Sequence, residues 1–281
     1  MKQTLNIEII QQQLDTQFFG IEDRLLYLPL VDSTNAVAMQ LAHERPEEGV
    51  VVLTDSQTAG KGRPGRRWVD VSGCNVLSST LLRPLFPPHL LIMVASLAVV
   101  DAIARTTGIA ATIKWPNDVL IRDRKVAGIL IETSHDRADR LIAILGIGVN
   151  VNGRIQDLPE PTLQQVPLLQ TATTLEVECG CAVSRETFIA HLLHSLESNY
   201  LTLQQACREP SSAAFKQASR MIRERWRNQL STLGRTIEVR RGDTVISGIA
   251  EGVNDNGELL LRRHSGQQVT ITWGDVVYPA R

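Results

Sequence analysis

The sequence predicts an α+β protein: a mixed sheet with flanking helices over residues 1–232, and a small antiparallel barrel over residues 233–281. Three observations carry this. Val50-Val51-Val52-Leu53-Thr54 is a β-branched apolar run of the kind that fills a buried strand. Residues 89–107 are apolar over a stretch too long for a strand. After Gly234 the texture changes to short stretches of period-two alternation separated by turn residues.

The elements follow in order. Leu5, Ile9, Ile10 and Leu14 fall on one side of a short helix over 4–14. Leu25 to Val31 reads as a strand, and Pro29 places it at an edge because proline lacks the N–H a central strand needs. Asp32-Ser33-Thr34-Asn35 offers caps for a helix running to His43. The buried strand 50–54 leads into a basic glycine loop, and Asn75 to Leu82 is the next strand. Pro87-Pro88 introduces the apolar helix 89–107, with Gly108 as its C-terminal cap. Thr112-Ile113-Lys114 is extended and runs into Trp115-Pro116-Asn117-Asp118. Val126 to Glu132 and Leu141 to Val151 are strands around a polar turn, 134–140. Residues 153–182 form an irregular connector. Ser184 caps a helix with Phe188, Ile189, Leu192, Leu193, Leu196 and Tyr200 at helical spacing. A second helix, 211–230, would dock Met221, Ile222, Trp226 and Leu230 on the sheet and leave its arginines in water. In the barrel, 236–240, 259–262 and 268–272 alternate, and Arg241-Gly242-Asp243 is a hairpin turn.

Composition narrows the function. With 43% hydrophobic and 21% charged residues, this is an ordinary globular chain. Its net charge of −1 argues against a general polyanion binder. The run Leu90 to Val100 is too short to span a bilayer and reads as a core helix. No signal-peptide block follows Met1. The cysteines at 74, 179, 181 and 207 have no zinc spacing and read as reduced thiols of a cytoplasmic protein.

The segment most loaded with chemistry is Gly60-Lys61-Gly62-Arg63-Pro64-Gly65-Arg66-Arg67-Trp68. Glycines let a ligand approach the backbone, and the cations supply donors for phosphate or carboxylate. Gly60, Gly62 and Gly65 match G-x-G-x-x-G, but Pro64 blocks a helix there and no acidic residue lies between Asp70 and Asp101. A dinucleotide fingerprint needs both. A Walker A Gly-Lys-Ser/Thr is absent as well. A solvated basic loop and a nucleic-acid patch are the bland alternatives.

Four further segments and one glutamine change the balance: Asp32-Ser33-Thr34-Asn35 and Gln57 before the loop, and Lys114-Trp115-Pro116-Asn117-Asp118, Lys125-Val126-Ala127-Gly128-Ile129-Leu130 and Gly146-Ile147-Gly148-Val149-Asn150 after it. Taken in order, the motifs D-S-T-N, Q-x-x-G-[RK]-G-R-x-G-R-x-W, K-W-P-N-D, K-x-A-G-I-L-x-E and G-x-G-x-N make the chain resemble the biotin protein ligase family over residues 25–152. Residues 233–278 resemble its C-terminal barrel more loosely.

The resemblance implies ATP-dependent activation of biotin to biotinyl-5′-AMP, then transfer of biotin to one lysine of the biotin carboxyl carrier protein of acetyl-CoA carboxylase. The fold implied is the biotin/lipoate ligase catalytic domain plus an SH3-like barrel. By resemblance, Ser33, Thr34, Asn35 and Gln57 contact the ureido ring, while Gly128, Ile129 and Leu130 wall the rest of biotin. Lys61, Gly62, Arg63 and Lys125 complete that site. Arg63, Arg66, Trp68, Asn117, Lys125 and Asn150 bind ATP, and Asp118 is the expected ligand of Mg²⁺.

Lys125, Arg63 and Arg66 are the expected catalytic cations, since a carboxylate attacking a phosphate brings two anions together. Lys125 carries special weight as the lone cation at the entrance to its predicted strand, 126–132. Twenty-four residues precede Leu25, too few for a winged helix-turn-helix domain, so the monofunctional type without DNA binding is expected. No membrane partner is expected, and a homodimer is left open. The rival readings are a lipoate ligase of the same fold and a nucleic-acid-binding regulator using the basic loop.

Overall fold

A computed structural model describes residues 4–44, 47–64, 66–158, 171–209 and 212–279. Gly65, Arg281 and part of the 153–182 connector lie outside the described residues.

Seven strands form one mixed sheet: β1 (Leu25–Val31), β2 (Val51–Gln57), β3 (Val76–Leu82), β4 (Thr112–Lys114), β5 (Asp118–Ile121), β6 (Arg124–His135) and β7 (Leu141–Val149), in the order β1-β2-β3-β7-β6-β5-β4. Only β1 and β2 run parallel; every other neighbouring pair is antiparallel. Pro29 lies in β1, an edge strand, where its missing N–H costs no ladder bond. Helices α1 (Ile7–Gln13) and α2 (Thr34–Glu44) flank β1 in sequence, and α3 (His89–Thr107) follows β3. Then come α4 (Leu175–Cys179), α5 (Arg185–Arg208) and α6 (Ser212–Gln229). The second sheet contains β8 (Thr236–Arg241), β9 (Thr244–Val253), β10 (Leu259–Arg262), β11 (Gln268–Ile271) and β12 (Asp275–Val277), in the order β11-β10-β9-β8-β12.

The two faces of the first sheet differ, and β7 shows why. Its side chains alternate. Ala143, Leu145, Ile147 and Val149 enter the large core beneath α3 and α5. Ile142 and Ile144 face the other way and join Val50, Val52 and Leu81 in a small cluster under α2. The next two positions on that second face are Gly146 and Gly148. The face is thus apolar where α2 covers it and bare where the helix stops. α3 is long and apolar enough to cross a membrane, and 67% of its apolar window is buried in the core.

Several expectations need correction. The irregular connector contains α4, whose start is capped by Thr174 accepting from the Val177 N–H. Strand β6 is longer than 126–132: it begins at Arg124, so Lys125 is not its only cation, and it absorbs Ser134 and His135 of the expected turn. Strands β5, β9 and β12 carry weaker period-two signals than their neighbours and were not expected. Helix α6 packs mainly on α3 and α5 rather than on the sheet. Trp226 is buried at 1% exposure, but Met221 is 54% exposed and Leu230 lies beyond the helix, bridged to Ile113. Not all of its arginines are left to water: Arg225 donates to Asn199 and pairs with Asp101.

Candidate active site

The site is built on the bare end of that second face. Ser79 on β3 pairs with Gly146, which also pairs with Leu130 on β6. Gly148 pairs with Gly128. Gly128 and Leu130 therefore line the site face, whereas Ile129, between them, points into the main core. The expectation that Ile129 walls a ligand is thereby corrected: strand alternation sends it to the opposite side.

The two glycines of β7 are needed for close approach. A Cβ on Gly146 would lie 2.2 Å from Asn35 Oδ1, and one on Gly148 would lie 2.6 Å from the Trp68 ring. Asn35 and Trp68 thus rest directly on the strand backbone. Trp68 also reaches Gly128, where a Cβ would lie 3.0 Å from its ring.

One end of the site is a continuous polar chain. Thr34 starts α2, so its backbone N–H is free of the helix ladder. That N–H donates to Gln57 Oε1 at 2.9 Å. Ser79 Oγ lies 2.7 Å from Thr34 Oγ1 and 2.6 Å from Asn35 Oδ1. Asn35 Nδ2 donates to Glu132 Oε2 at 2.7 Å, and Lys61 Nζ meets Glu132 Oε1 at 2.9 Å. Ser33, Thr34, Asn35 and Ser79 are all buried. Beneath them, Asp70 braces Gln57 by accepting from its N–H and from the Ser56 hydroxyl. Burial holds the Asp70 carboxyl above its ordinary value, against the pull of those two donors. Asp55 braces β2 too, taking hydrogen bonds from Tyr27 and from Arg185 of α5.

The other end gathers cations. Lys125 Nζ lies 2.6 Å from Asp118 Oδ1 and 5.7 Å from the centroid of the Trp68 ring. Asn117 donates to the Ile129 carbonyl at 2.8 Å, and Asn150 donates to the Thr173 carbonyl at 3.1 Å. Asn117 Oδ1 and Trp68 Nε1 are buried without a hydrogen-bond partner among the described residues. The loop closes on itself through Trp68 N–H to the Gly60 carbonyl and Gly62 N–H to the Arg66 carbonyl. Arg67 donates to the Thr58 carbonyl, while the other two arginines of the loop reach the second sheet. Arg63 donates to the Gly274 carbonyl and to Asp275, and Arg66 pairs with the other oxygen of Asp275 at 2.7 Å.

Lys114 feels the charges of both ion-pair groups. Burial pushes its ammonium below the ordinary lysine value; Asp118 and Asp275 oppose that, while Lys125 and Arg63 add to it. The second sheet is also fixed to this corner by Trp115, whose indole donates to the Gly257 carbonyl at 2.8 Å. Among the described residues, no group of three or more His, Cys, Asp or Glu side chains is arranged to hold a metal ion.

Residues 27–150 match the family model of the biotin/lipoate A/B protein ligases, and residues 232–278 match that of the biotin protein ligase C-terminal domain. The biotin–[acetyl-CoA-carboxylase] ligase of Paracoccus denitrificans is 36% identical over 247 residues, 86% of this chain and 95% of that protein. The chain belongs to the biotin protein ligase family. The bifunctional ligase/repressor BirA of Bacillus subtilis is 34% identical over 90% of this chain and 73% of its own length. A solved biotin protein ligase from Aquifex aeolicus, in complex with biotin and ATP, superposes with a TM-score of 0.70 at 28% identity. That match covers 90% of this chain and 97% of the other.

Within this biotin ligase fold, four residues at the site had no role in the sequence reading: Ser79, Glu132, Lys114 and Asp275. Ser79 had a signal. Ser78-Ser79-Thr80 places three hydroxyls inside an otherwise apolar buried strand, which needs internal partners. Glu132 and Lys114 stand inside quoted motifs as their terminal charges. Asp275 lies about 210 residues from Arg63, and nothing local to either predicts their meeting.

Proposed function

We propose that this chain activates biotin with ATP to biotinyl-5′-AMP and transfers the biotinyl group to one lysine of the biotin carboxyl carrier protein of acetyl-CoA carboxylase in the cytoplasm. One observation carries the reading. A polar chain and a cationic cluster stand at the two ends of one strip of sheet floored by Gly128, Gly146 and Gly148, which lack side chains of their own and let Asn35 and Trp68 approach closely. That layout suits a ligand with a polar ring at one end and a carboxylate at the other.

In this reading Ser33, Thr34, Asn35 and Gln57 take the ureido group. Gly128 and Leu130 floor the apolar middle of biotin, with Lys61 and Gly62 at its margin. Lys125 leaves Asp118 to meet the biotin carboxylate and the α-phosphate together, offsetting their repulsion as the new bond forms. Arg63 and Arg66 exchange Asp275 for the triphosphate, and Trp68, Asn117 and Asn150 face the nucleotide. The paired cations act as preorganised donors and need no covalent step of their own.

Mg²⁺ fits the donor set sparingly: Asp118 supplies one carboxylate beside the unpartnered Asn117 Oδ1, and Mg²⁺ commonly takes its remaining ligands from phosphates and water. Bound there, it would neutralise phosphate charge. The division at residue 232 belongs to the same proposal, with residues 233–281 acting as a barrel domain that holds the loop through Asp275. Incubation with biotin and [α-³²P]ATP tests the reading. Biotinyl-AMP is expected, followed by label-free transfer of biotin to a carrier domain on its addition. A protein that forms no adenylate overturns it.

A further inference from the structure

The polar chain contains more oxygens than protons, and the count decides its direction. Three oxygen–oxygen contacts link it: Thr34 Oγ1 to Gln57 Oε1 at 3.2 Å, Thr34 Oγ1 to Ser79 Oγ at 2.7 Å, and Ser79 Oγ to Asn35 Oδ1 at 2.6 Å. Only two hydroxyl protons are available, one on Thr34 and one on Ser79. Glu132 breaks the symmetry. An ionised carboxylate only accepts, so Asn35 must present Nδ2 to it and Oδ1 to Ser79. Ser79 then spends its proton on Asn35, and Thr34 spends its proton on Ser79. The contact left without a proton is the longest one. Lys61, on the second oxygen of Glu132, offsets its charge and holds it in place.

We infer that Glu132 is the positioning residue of the polar end: it orients the whole chain so that Thr34 Oγ1 meets the ligand as a hydrogen-bond acceptor. This inference rests on the biotin reading and deepens it. With its proton committed to Ser79, Thr34 Oγ1 keeps lone pairs free for a ligand N–H, which a cyclic urea supplies. Glu132 touches no reacting atom; it acts through Asn35 and Ser79.

Glu132→Gln tests the direction with little change of shape. A glutamine beside Lys61 turns its oxygen to the ammonium and its amide N–H₂ to Asn35. Asn35 then flips, and the chain reverses. Ser79 donates to Thr34 and Thr34 to Gln57, which uses up one of the lone pairs the ligand needs. Biotin affinity, measured by calorimetry without ATP, is expected to fall about 10–100-fold, the range for a buried donor left without its acceptor. The KM for ATP and kcat at saturating biotin should stay within about twofold, and the melting temperature should hold.

Lys61→Met provides a second handle. It removes the reason for glutamine to turn, so the double variant Lys61→Met/Glu132→Gln should bind biotin better than the sum of the single losses predicts. If the parent forms no biotinyl-AMP, the biotin reading fails. If the parent is active while Glu132→Gln binds biotin as the parent does, or the two losses simply add, the orienting role of Glu132 is overturned and the biotin reading stands.

Discussion

The two ends of the site are held by different means. The polar end is closed by short hydrogen bonds that run from buried Thr34, Asn35 and Ser79 to half-buried Gln57 and Glu132, on α2, β3, β2 and β6. The cationic end is held by ion pairs, and two of its members, Arg63 and Arg66, are anchored on a residue of the other sheet. Buried hydrogen bonds have no water to replace them, so their geometry is set before a ligand arrives. Partly exposed ion pairs contribute roughly 0–1 kcal/mol and exchange readily for another anion. In the proposed function, one end would select by fixed shape, and the other would trade an internal carboxylate for a ligand's phosphates.

The largest test of this contrast is Lys125→Ala. Removal of a preorganised donor costs about 10²–10³ in rate, and adenylate formation should fall at least that far with binding of biotin alone less affected. Retained adenylation would move the chemistry away from Lys125. Next come the floor glycines. Gly146→Ala pushes on Asn35 and should raise the KM for biotin, while Gly148→Ala pushes on Trp68 and should raise that for ATP. Misplacement of about 1 Å can cost 10²-fold. Steady-state kinetics with each substrate varied would show both rising together if the two ends were not separate.

A smaller effect is expected from Asp275→Asn. It frees the two arginines, so the KM for ATP should shift only about 2–5-fold, in line with exposed pairs. Its dependence on ionic strength should change as well. A loss as large as that of Lys125→Ala would make the ion pairs part of a rigid site. The smallest effect concerns the brace under the polar end. Burial, then the bond to Asp55, pushes the Tyr27 phenol up to about 12. The folded state thus binds this proton more tightly than the unfolded chain, whose tyrosines titrate near 10. Stability from this group is complete below pH ~10 and is lost as pH rises toward 12. Urea unfolding across that range, with tyrosinate absorbance in parallel, would detect it. Normal ionisation of all three tyrosines near pH 10 would remove the brace.

Much of this was legible before any coordinates. The apolar runs located β2, α3 and β7, and the caps at Ser184 and Gly108 marked the ends of α5 and α3. The motif order brought Thr34, Gln57, Lys125 and Gly128 into one site reading. What escaped is also informative. Ile129 was misplaced because a motif has no faces, whereas a strand has two. Helix α6 was sent to the sheet because amphipathic spacing says that a helix packs, not on what. The link from Arg63 to Asp275 depends on where the second sheet docks, which no local pattern encodes. Glu132 was read as the end of a motif because a charge reveals its work only when its partners are in view.

The strip formed by Gly128, Gly146 and Gly148 contributes no side-chain surface of its own, so Asn35 covers Gly146 and the indole of Trp68 supplies the wall over Gly128 and Gly148. A wall supplied by a neighbouring segment can be exchanged without touching the ladder of the sheet. Replacing Trp68 with smaller rings or aliphatic chains would therefore resize that compartment while leaving strand pairing and the Asn35 chain intact. For anyone wishing to admit bulkier nucleotides or extended acids, the sheet is the fixed mould and the tryptophan is the adjustable plug.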